Sequence, residues 1–507
     1  MSSTAKHKRT PAPSPTRLRI ATATAVAATL TGGLLAASAG SAGAADSVHH
    51  QQPDFNGDGY GDLAVSAGSA TVAGYKEAGQ IVALYGSASG ITSAKRSTIS
   101  QNTAGVPGSA EAYDHFGWSS AYGDFNHDGY DDLAVAASYE KVGTDVDGGT
   151  VALLWGSPSG LSGGTTIPDP AVSGHDRWGQ AMAAGDFNGD GKDDLAIGSS
   201  AATLYVYKGS TTKSASLGGH YTVKANIISG SGAGPLSLFA GDVNGDRRTD
   251  LVANGYETTS ADGWNTNYYL PGSASGLTTS GAKKLKRGVI TGIGDVNGDG
   301  FGDIVTGQDW DPNLKDADGN VYTVPESVTG GQIHVTYGSA SGPAAVTNIT
   351  QNSGNVPGSS ERGDAFGSEL ALGDINGDSF ADVVVSAPGE KLGSAVHTGA
   401  VTVLYGSANG LNTTSGTQFF AQSTAGVPGS DEKNDLFGGE VKLTDANKDG
   451  KADLVVGAPG ENDYNGALTY LPSNGTKITT TGARSLSASS VAVSTAGYPQ
   501  FGANAAN

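Results

Sequence analysis

The chain has 507 residues, of which 79 are glycine and none is cysteine. Without cysteine, a disulfide framework and a zinc–thiolate site are both excluded. The 29 basic residues are outnumbered by 49 acidic ones, and the formal net charge of −20 argues against a nucleic-acid or anionic-membrane partner.

The first 45 residues differ in composition from the rest of the chain. Five Lys and Arg residues and no acidic residue precede an apolar run over 20–37, after which Ala42 and Ala44 follow at A-x-A spacing. This order predicts a secretory signal peptide over residues 1–45, and hence a secreted, extracellular protein. A membrane anchor is the alternative, although the run is only weakly hydrophobic. Without these five cations, 24 basic residues remain against 49 acidic ones, a net charge of −25. No later segment is apolar enough to span a membrane in the mature chain.

A nine-residue Asp-rich motif then recurs seven times. It reads DFNGDGYGD where it first occurs, and it begins at residues 54, 124, 186, 242, 295, 374 and 445. Successive motifs start 53 to 79 residues apart, a period typical of arrays and propellers. Each motif is followed by short strand-like runs separated by Gly-rich turns, about four strands to a unit. We therefore predict an all-β fold, in which residues 46–507 form a single seven-bladed β-propeller.

The Asp-rich motifs are candidate calcium sites. Positions 1, 3, 5 and 9 carry Asp or Asn oxygens, which hard cations prefer, and the backbone carbonyl of position 7 is expected to add a ligand. Position 12 belongs to a strand and is not acidic, which excludes an EF-hand. Metal-free Asx-turns are the alternative. We expect Ca²⁺ at up to seven sites, with these ligands: Asp54, Asn56, Asp58, Tyr60, Asp62, Asp124, Asn126, Asp128, Tyr130, Asp132, Asp186, Asn188, Asp190, Lys192, Asp194, Asp242, Asn244, Asp246, Asp250, Asp295, Asn297, Asp299, Phe301, Asp303, Asp374, Asn376, Asp378, Phe380, Asp382, Asp445, Asn447, Asp449, Lys451 and Asp453.

The motifs differ at position 6. The fourth has Arg247 there, followed by Arg248, where most of the others have Gly at position 6. Two cations beside the site, and an Arg where a positive φ is expected, predict that the site at Asp242 is the weakest. The sixth motif, with Ser379 at position 6, is expected to be intermediate.

Four units also carry an aromatic-Gly step that starts eight residues before the first Asp. The aromatic residues are Phe116, Trp178, Phe366 and Phe437, while blades four and five lack a recognisable Phe-Gly. Together with the Asp motif and a following strand that ends in Ala-Pro at 387–388 and 458–459, this step resembles the FG-GAP repeat. That repeat builds the seven-bladed propeller of integrin α subunits, and the resemblance covers about residues 53–507. It implies calcium in the loops between the first two strands of a blade, mostly on one face.

The last seven residues, FGANAAN, contain the step that blade one lacks. Blade one begins at Asp54 without a preceding Phe-Gly, and residues 501–507 with Pro53 supply the eight missing positions. We expect residues 501–507 to pair with the N-terminal segment as the first strand of blade one. Such pairing closes the ring without an exposed sheet edge.

The longest connections lie at the opposite end of the blades from the Asp motifs. They span 138–149, 254–267 and 308–331, and they contain Tyr139, Trp264, Trp310 and Tyr322. Aromatic residues on the loops of a rigid scaffold are typical of a binding face, so we predict that these four bind an extracellular glycan or protein. Anchoring of the loops by buried rings is the alternative.

Enzyme motifs are missing. The sequence has no H-E-x-x-H, G-x-S-x-G or P-loop, and no catalytic residue is assigned. We therefore predict a secreted, monomeric, calcium-binding propeller that acts as a binding or adhesion module. An extracellular carbohydrate-active enzyme, a lyase or hydrolase, is the alternative, because propeller active sites assemble from distant loops.

Overall fold

Short antiparallel strands are the main regular secondary structure in the part of the chain that the structure, a computed structural model, describes. That part comprises residues 52–172, 174–230, 232–259, 264–315 and 321–506, so the predicted signal peptide lies outside it. Helix is confined to a four-residue turn at Glu461–Tyr464 and a 3-10 turn at Ala488–Val491 within these ranges. None of the described helices has the length and apolar character needed to cross a membrane.

The strands form seven sheets that follow one another along the chain. The first sheet contains β1 (Leu63–Ala67), β2 (Gln80–Leu84) and β3 (Arg96–Ile99). The second contains β4 (Ser120–Gly123), β5 (Asp132–Ala137), β6 (Thr150–Trp155) and β7 (Ser162–Ile167). The third contains β8 (Met182–Gly185), β9 (Asp194–Ile197), β10 (Thr203–Tyr207) and β11 (His220–Lys224), and the fourth contains β12 (Pro235–Gly241), β13 (Asp250–Tyr256), β14 (Asn265–Leu270) and β15 (Lys283–Lys284).

The remaining three sheets repeat this order, with one insertion. The fifth contains β16 (Ile290–Gly294), β17 (Asp303–Gln308), β20 (Gln332–Thr336) and β21 (Val346–Ile349), and a separate hairpin of β18 (Leu314–Lys315) and β19 (Val321–Tyr322) is inserted between its second and third strands. The sixth contains β22 (Leu370–Gly373), β23 (Asp382–Ala387), β24 (Ala400–Leu404) and β25 (Gln418–Phe420). The seventh contains β26 (Glu440–Thr444), β27 (Asp453–Ala458), β28 (Ala467–Leu471) and β29 (Arg484–Ser487).

The sheets are arranged around their first strands. Strand β4 contacts β8, β8 contacts β12, β12 contacts β16, β16 contacts β22, and β22 contacts β26. The first sheet packs against the second and the seventh through shared clusters of buried residues, so the seven sheets form a seven-bladed β-propeller, which confirms the predicted fold class.

The antiparallel order gives the propeller two distinct faces. The Asp motifs join the first and second strands of each blade on one face, which we call the Asp face. The second-to-third-strand connections and the connections between blades lie at the other end of the strands, which we call the loop face. The long connections predicted to bind a ligand are therefore on the loop face.

Aromatic-Gly steps join neighbouring blades. The rings of Phe116, Phe366 and Phe437 are 0–1% exposed, and so is that of Trp178. The backbone N–H of Phe116 donates to Ala78 of the preceding blade (3.0 Å), and that of the following Gly117 donates to the second strand of its own blade. Gly117 has a φ of 93°, and a Cβ there would lie 2.7 Å from a backbone carbonyl oxygen. Glycine therefore lets the two backbones approach.

Residues 501–506 lie against the first blade. The N–H of Phe501 donates to Asn465 of blade seven (3.1 Å), and the N–H of Gly502 donates to Ser66 in β1 (3.2 Å). The pairing continues where Ser66 N–H donates to Asn504 (2.8 Å) and Ala506 N–H donates to Ala64 (2.9 Å). The Phe501 ring is fully buried in a cluster with residues of blades one and seven. These bonds repeat those of the other aromatic-Gly steps.

Blade five departs from the pattern, because Arg287-Gly288 stands eight residues before its first Asp. The Arg287 Nη2 atom lies 2.9 and 3.0 Å from the two carboxylate oxygens of Glu257, which belongs to blade four. The ammonium of Lys284 contacts the same carboxylate, and the Glu257 side chain is fully buried. A buried ion-pair cluster thus occupies the junction where other blades use an aromatic ring.

Replacement of Glu257 by Gln should destabilise the protein by about 3 kcal/mol, because it leaves two cations beside a buried, uncharged amide. The matched control is Glu326→Gln, which removes the exposed partner of Lys286 at 3.3 Å and should cost less than about 1 kcal/mol. Urea unfolding of both variants measures the difference. Equal losses of stability would show that the buried cluster contributes no more than a surface ion pair.

Candidate metal-binding loops and ligand-binding face

In each motif, the Asp at position 1 organises the loop around its own carboxylate. In the first motif, Asp54 Oδ2 accepts the Gly59 N–H (2.8 Å) and Asp54 Oδ1 accepts the Asp58 N–H (3.1 Å). Asn56 Oδ1 also accepts the Asp58 N–H (2.9 Å). The Asp at position 5 accepts the N–H of position 7, as Asp58 does from Tyr60 (3.1 Å). Polar side chains from positions 1, 3 and 5 are thus gathered on one side of the turn.

The amide at position 3 points differently among the motifs. In the second, third and seventh, the Asn Nδ2 donates to the position 9 carboxylate, at 2.6 Å for Asn126 and 3.0 Å for Asn188. In the fifth and sixth, it donates to position 5, at 3.0 Å for Asn297 and 2.9 Å for Asn376. The fourth Asn, Asn244, lies 3.5 Å from a tyrosine hydroxyl.

Position 6 adopts a left-handed backbone in every motif. Its φ is 78° at Gly59, 66° at Arg247 and 71° at Ser379. A side chain at this φ is strained, so the fourth and sixth motifs carry a conformational cost that glycine avoids. Arg248 Nη1 also lies 3.2 Å from Asp246 Oδ2 and supplies a cation within the fourth loop. Weaker metal binding at Asp242 remains a prediction.

The Asp at position 9 is fully buried in all seven motifs. Asp62 Oδ2 accepts the Phe55 N–H (2.9 Å), and its Oδ1 accepts the N–H of Gly86 in the turn after the third strand (2.9 Å). Burial, together with repulsion from the Asp54 and Asp58 charges, raises the pKa of Asp62 to about 8. Burial likewise raises the pKa of Asp303 and of Asp382 to about 7.

The donor set of the loops fits a hard cation. Each motif combines three carboxylates with an amide oxygen, and the buried Asp at position 9 has no Lys or Arg ion pair among the described residues. Three carboxylates approach one another within 4.8 Å at Asp145, Asp147 and Asp176 on the loop face, but at none of the motifs in the described chain. A cation in a motif would therefore draw its carboxylates closer together.

Neighbouring Asp motifs bond directly to one another. The N–H of Gly61 donates to the Asp445 carbonyl of the preceding motif (2.8 Å), and five other junctions repeat this bond between positions 8 and 1. At the junction of the second and third motifs, Asp193 Oδ2 accepts the Asp124 N–H (2.9 Å) instead. A second bond runs from the turn after the third strand, as from Ser87 N to Ala446 O (2.9 Å). The loops thus form a hydrogen-bonded series around the Asp face.

On the loop face, the structure places Tyr139 in an aromatic group. Its ring centroid lies 5.2 Å from that of His115 and 6.1 Å from that of Trp118, and the Arg177 guanidinium sits 4.8 Å from the Tyr139 centroid. Trp118, which was not predicted from the sequence, is 46% exposed. The only sequence signal for it is its position directly after Phe116-Gly117, where the first strand leaves the loop face.

The structure brings Trp264 and Trp310 together and leaves Tyr322 on a hairpin. The two tryptophan rings have centroids 6.4 Å apart, across blades four and five, and both are half-buried. Tyr322 lies in β19 and is 42% exposed. Sequence reasoning also missed exposed rings at Tyr75, Tyr113 and Tyr498. The four predicted residues thus fall into three separate places, one at Tyr139, one at Trp264 and Trp310, and one at Tyr322. All of them lie on the loop face.

The fold and its Asp motifs define a class, a seven-bladed propeller that carries acidic loops on one face. Comparison with known families agrees with this class. The FG-GAP repeat profile matches residues 53–84, 116–154, 366–404 and 437–471, and an FG-GAP-like repeat matches residues 186–253. The protein is a seven-bladed propeller that contains FG-GAP repeats, and it is similar to integrin α chains.

Curated relatives match over limited segments. Phosphatidylinositol-glycan-specific phospholipase D of Bos taurus is 34% identical over 158 residues, which are 28% of this chain and 18% of that protein. Integrin alpha-PS5 of Drosophila melanogaster is 34% identical over 164 residues, or 31% and 15% of the two chains. Integrin alpha-PS2 of the same organism is 27% identical over 250 residues, or 44% and 16%. The chain spans less than a fifth of the length of these relatives.

Solved structures show a looser likeness. A mutant of AofleA from Arthrobotrys oligospora aligns with a TM-score of 0.36 and 11% identity, covering 73% of this chain and 86% of that one. The rhamnogalacturonan lyase YesW aligns with a TM-score of 0.35 and 11% identity, covering 84% and 71%.

Proposed function

We propose that the Asp motifs bind Ca²⁺. The support is chemical: the side chains at positions 1, 3, 5 and 9 of every motif offer oxygen ligands, and within the described part of the chain no Lys or Arg forms an ion pair with the buried position 9 carboxylate. Calcium accepts six to eight such oxygens and supplies the positive charge that buried carboxylates need. The residues that would hold it are the Asp and Asn side chains at positions 1, 3, 5 and 9. The fourth motif, which contains Arg247 and Arg248, should bind it most weakly.

We also propose that the protein acts outside the cell, as a monomeric binding or adhesion module for a glycan or a protein. The observation that supports binding is the collection of exposed aromatic rings on the loop face, with Trp118 foremost among them. Aromatic rings offer flat apolar contact area with little side-chain entropy to lose, and sugar rings present matching apolar faces. The rigid Asp face leaves the loop face free to vary.

Alanine at Trp118 should reduce binding at least about tenfold, because one well-packed aromatic contact is worth more than about 1.4 kcal/mol at a binding surface. The double variant Trp264→Ala/Trp310→Ala tests the second aromatic group in the same way. Binding is measured by glycan-array and polysaccharide pull-down assays, with soluble products quantified in parallel.

The control for these variants is Trp155→Ala, which removes a tryptophan at the Asp-face end of β6. All variants are first compared by circular dichroism to confirm folding. If both loop-face variants bind each ligand of the parent protein with unchanged affinity, the aromatic groups are not the binding site. Release of new reducing ends or lipid products would instead favour a carbohydrate-active or other hydrolytic enzyme.

A further inference from the structure

Three blade junctions share a glutamine–glutamate pair on the loop face. Gln351 Nε2 donates to Glu390 Oε2 at 2.8 Å. The same contact joins Gln101 to Glu140 and Gln422 to Glu461, and the two residues are 39 apart in all three pairs. The glutamine follows the last strand of one blade, and the glutamate begins the second-to-third-strand connection of the next blade. Each pair therefore ties two blades together.

The glutamine of each pair keeps an oxygen without a partner. Gln101, Gln351 and Gln422 are 4, 2 and 5% exposed, and the Oε1 atom of each is buried without a hydrogen bond. Because a carboxylate accepts hydrogen bonds, the amide nitrogen must face the glutamate, which fixes Oε1 as the unpartnered atom. That oxygen belongs to the same amide group that touches the carboxylate, so it lies beside the negative charge. Three repeats of one unpartnered buried oxygen indicate a common missing ligand.

Negative charge accumulates around each pair. A buried aspartate lies near each glutamate: Asp114 is 3% exposed, and Asp364 and Asp435 are each 2% exposed. Each of these aspartates lies close enough to its glutamate for their negative charges to repel one another. The ion pairs of the described chain place no Lys or Arg against these glutamates or aspartates.

Blade four shows what a glutamate in this connection requires. Glu257 occupies the corresponding loop and is fully buried. Lys284 and Arg287 both bind its carboxylate. Buried charges in proteins are paired or bind metals, and here side chains supply the positive charge. The three glutamine junctions combine a glutamate with a buried aspartate, and they offer an oxygen ligand in place of a cationic side chain.

We propose that each of the three Gln–Glu pairs binds a divalent cation of the calcium type, through the glutamine Oε1 and the glutamate carboxylate. These sites lie on the loop face, and they share no residue with the Asp motifs. Oxygen-only ligands select a hard cation, and water completes its coordination. With few protein ligands, affinity should fall in the range of about 10⁻⁴–10⁻³ M typical of weak calcium modules. The cation would link each connection to the following blade.

Equilibrium dialysis of the full chain against millimolar Ca²⁺, with metal analysis of the protein, tests the proposal. The triple variant Gln101→Met/Gln351→Met/Gln422→Met keeps side-chain size but removes the oxygens, and it should bind three fewer ions than the parent. Gln351→Met alone should bind one fewer, which preserves the test if the triple variant folds poorly. Glu390→Gln should lose the same single ion while keeping the shape of the side chain.

The matched control is Gln180→Met. Gln180 also has an unpartnered Oε1, but its Nε2 donates to the backbone carbonyls of Ala233 and Pro235 rather than to a carboxylate. Its replacement should leave the ion count unchanged. Asp295→Ala tests the Asp motifs separately. If the parent binds three ions and Asp295→Ala binds the same three, the result contradicts the proposal for the Asp motifs and leaves that for the junctions intact. An unchanged count in folded Gln351→Met and Glu390→Gln would overturn the junction sites and assign the space to water.

Discussion

Deletion of residues 501–507 should lower the free energy of unfolding by about 5 kcal/mol. The Phe501 ring is fully buried between blades seven and one, and removing a buried Phe side chain alone costs about 3–5 kcal/mol. The deletion also removes backbone hydrogen bonds to Ala64 and Ser66 and exposes an edge of β1. Exposed sheet edges pair with other chains, so the truncated protein should also aggregate more readily. Chemical unfolding and light scattering measure the two effects.

Tyr498→Ala provides the control for this truncation. Tyr498 lies three residues before Phe501, is 63% exposed and makes an edge contact with Tyr464 at 6.4 Å. Its removal should change stability by less than about 0.5 kcal/mol, as is usual for surface positions. If the truncated chain unfolds at the same denaturant concentration as the full chain, the pairing of the terminal residues with blade one contributes little to stability.

Chelation of calcium should lower the melting temperature more than any single substitution considered above. A ligand bound only to the native state, at a hundred times its dissociation constant, stabilises the fold by about 2.7 kcal/mol per site. Two occupied Asp motifs thus exceed the expected effect of the terminal deletion, and up to seven are proposed. Release of calcium also restores repulsion among the carboxylates of each motif, including the buried Asp62 and its counterparts.

Differential scanning calorimetry with and without EDTA measures this effect. EDTA already saturated with Ca²⁺ is the control, because it adds the same anion without removing metal. Readdition of Ca²⁺ should restore the original transition, whereas Mg²⁺ should restore less of it, since Mg²⁺ demands a smaller octahedral site. A transition that EDTA leaves in place would mean that the motifs are turns held by their own hydrogen bonds.

The fold could be predicted from the sequence because its information is local and repeated. Each Asp motif fixes a turn, each turn is followed by a strand, and the seven recurrences of the motif determine the blade count. The position of Phe501 followed from the same register, because blade one lacked the step that residues 501 and 502 contain. The features that each blade requires on its own, such as the Asp motif and the aromatic-Gly step, are therefore visible in the local sequence.

The candidate sites were harder to predict because they depend on pairs of blades. The contact between Arg287 and Glu257 stands where the Phe-Gly pattern is absent, so no repeat indicated it. The aromatic group around Trp118 depends on Tyr139, which comes from another segment of blade two. The Gln–Glu pairs had a sequence signal, their constant separation of 39 residues, but only the structure shows that they touch.

The hydrogen bonds between neighbouring Asp motifs should make the Asp face the part of the molecule that opens least readily. They run from backbone to backbone through six of the seven junctions, including the one between the motifs that begin at Asp445 and Asp54, and through the Asp193 carboxylate at the seventh. Amide protons on this side should therefore exchange slowest, and they should do so as one cooperative unit rather than blade by blade. The opposite side takes no part in this belt, and the inserted hairpin of β18 and β19 shows how far a connection there can lengthen. A designer could therefore graft new recognition loops onto that side and leave the framework that holds the blades together intact.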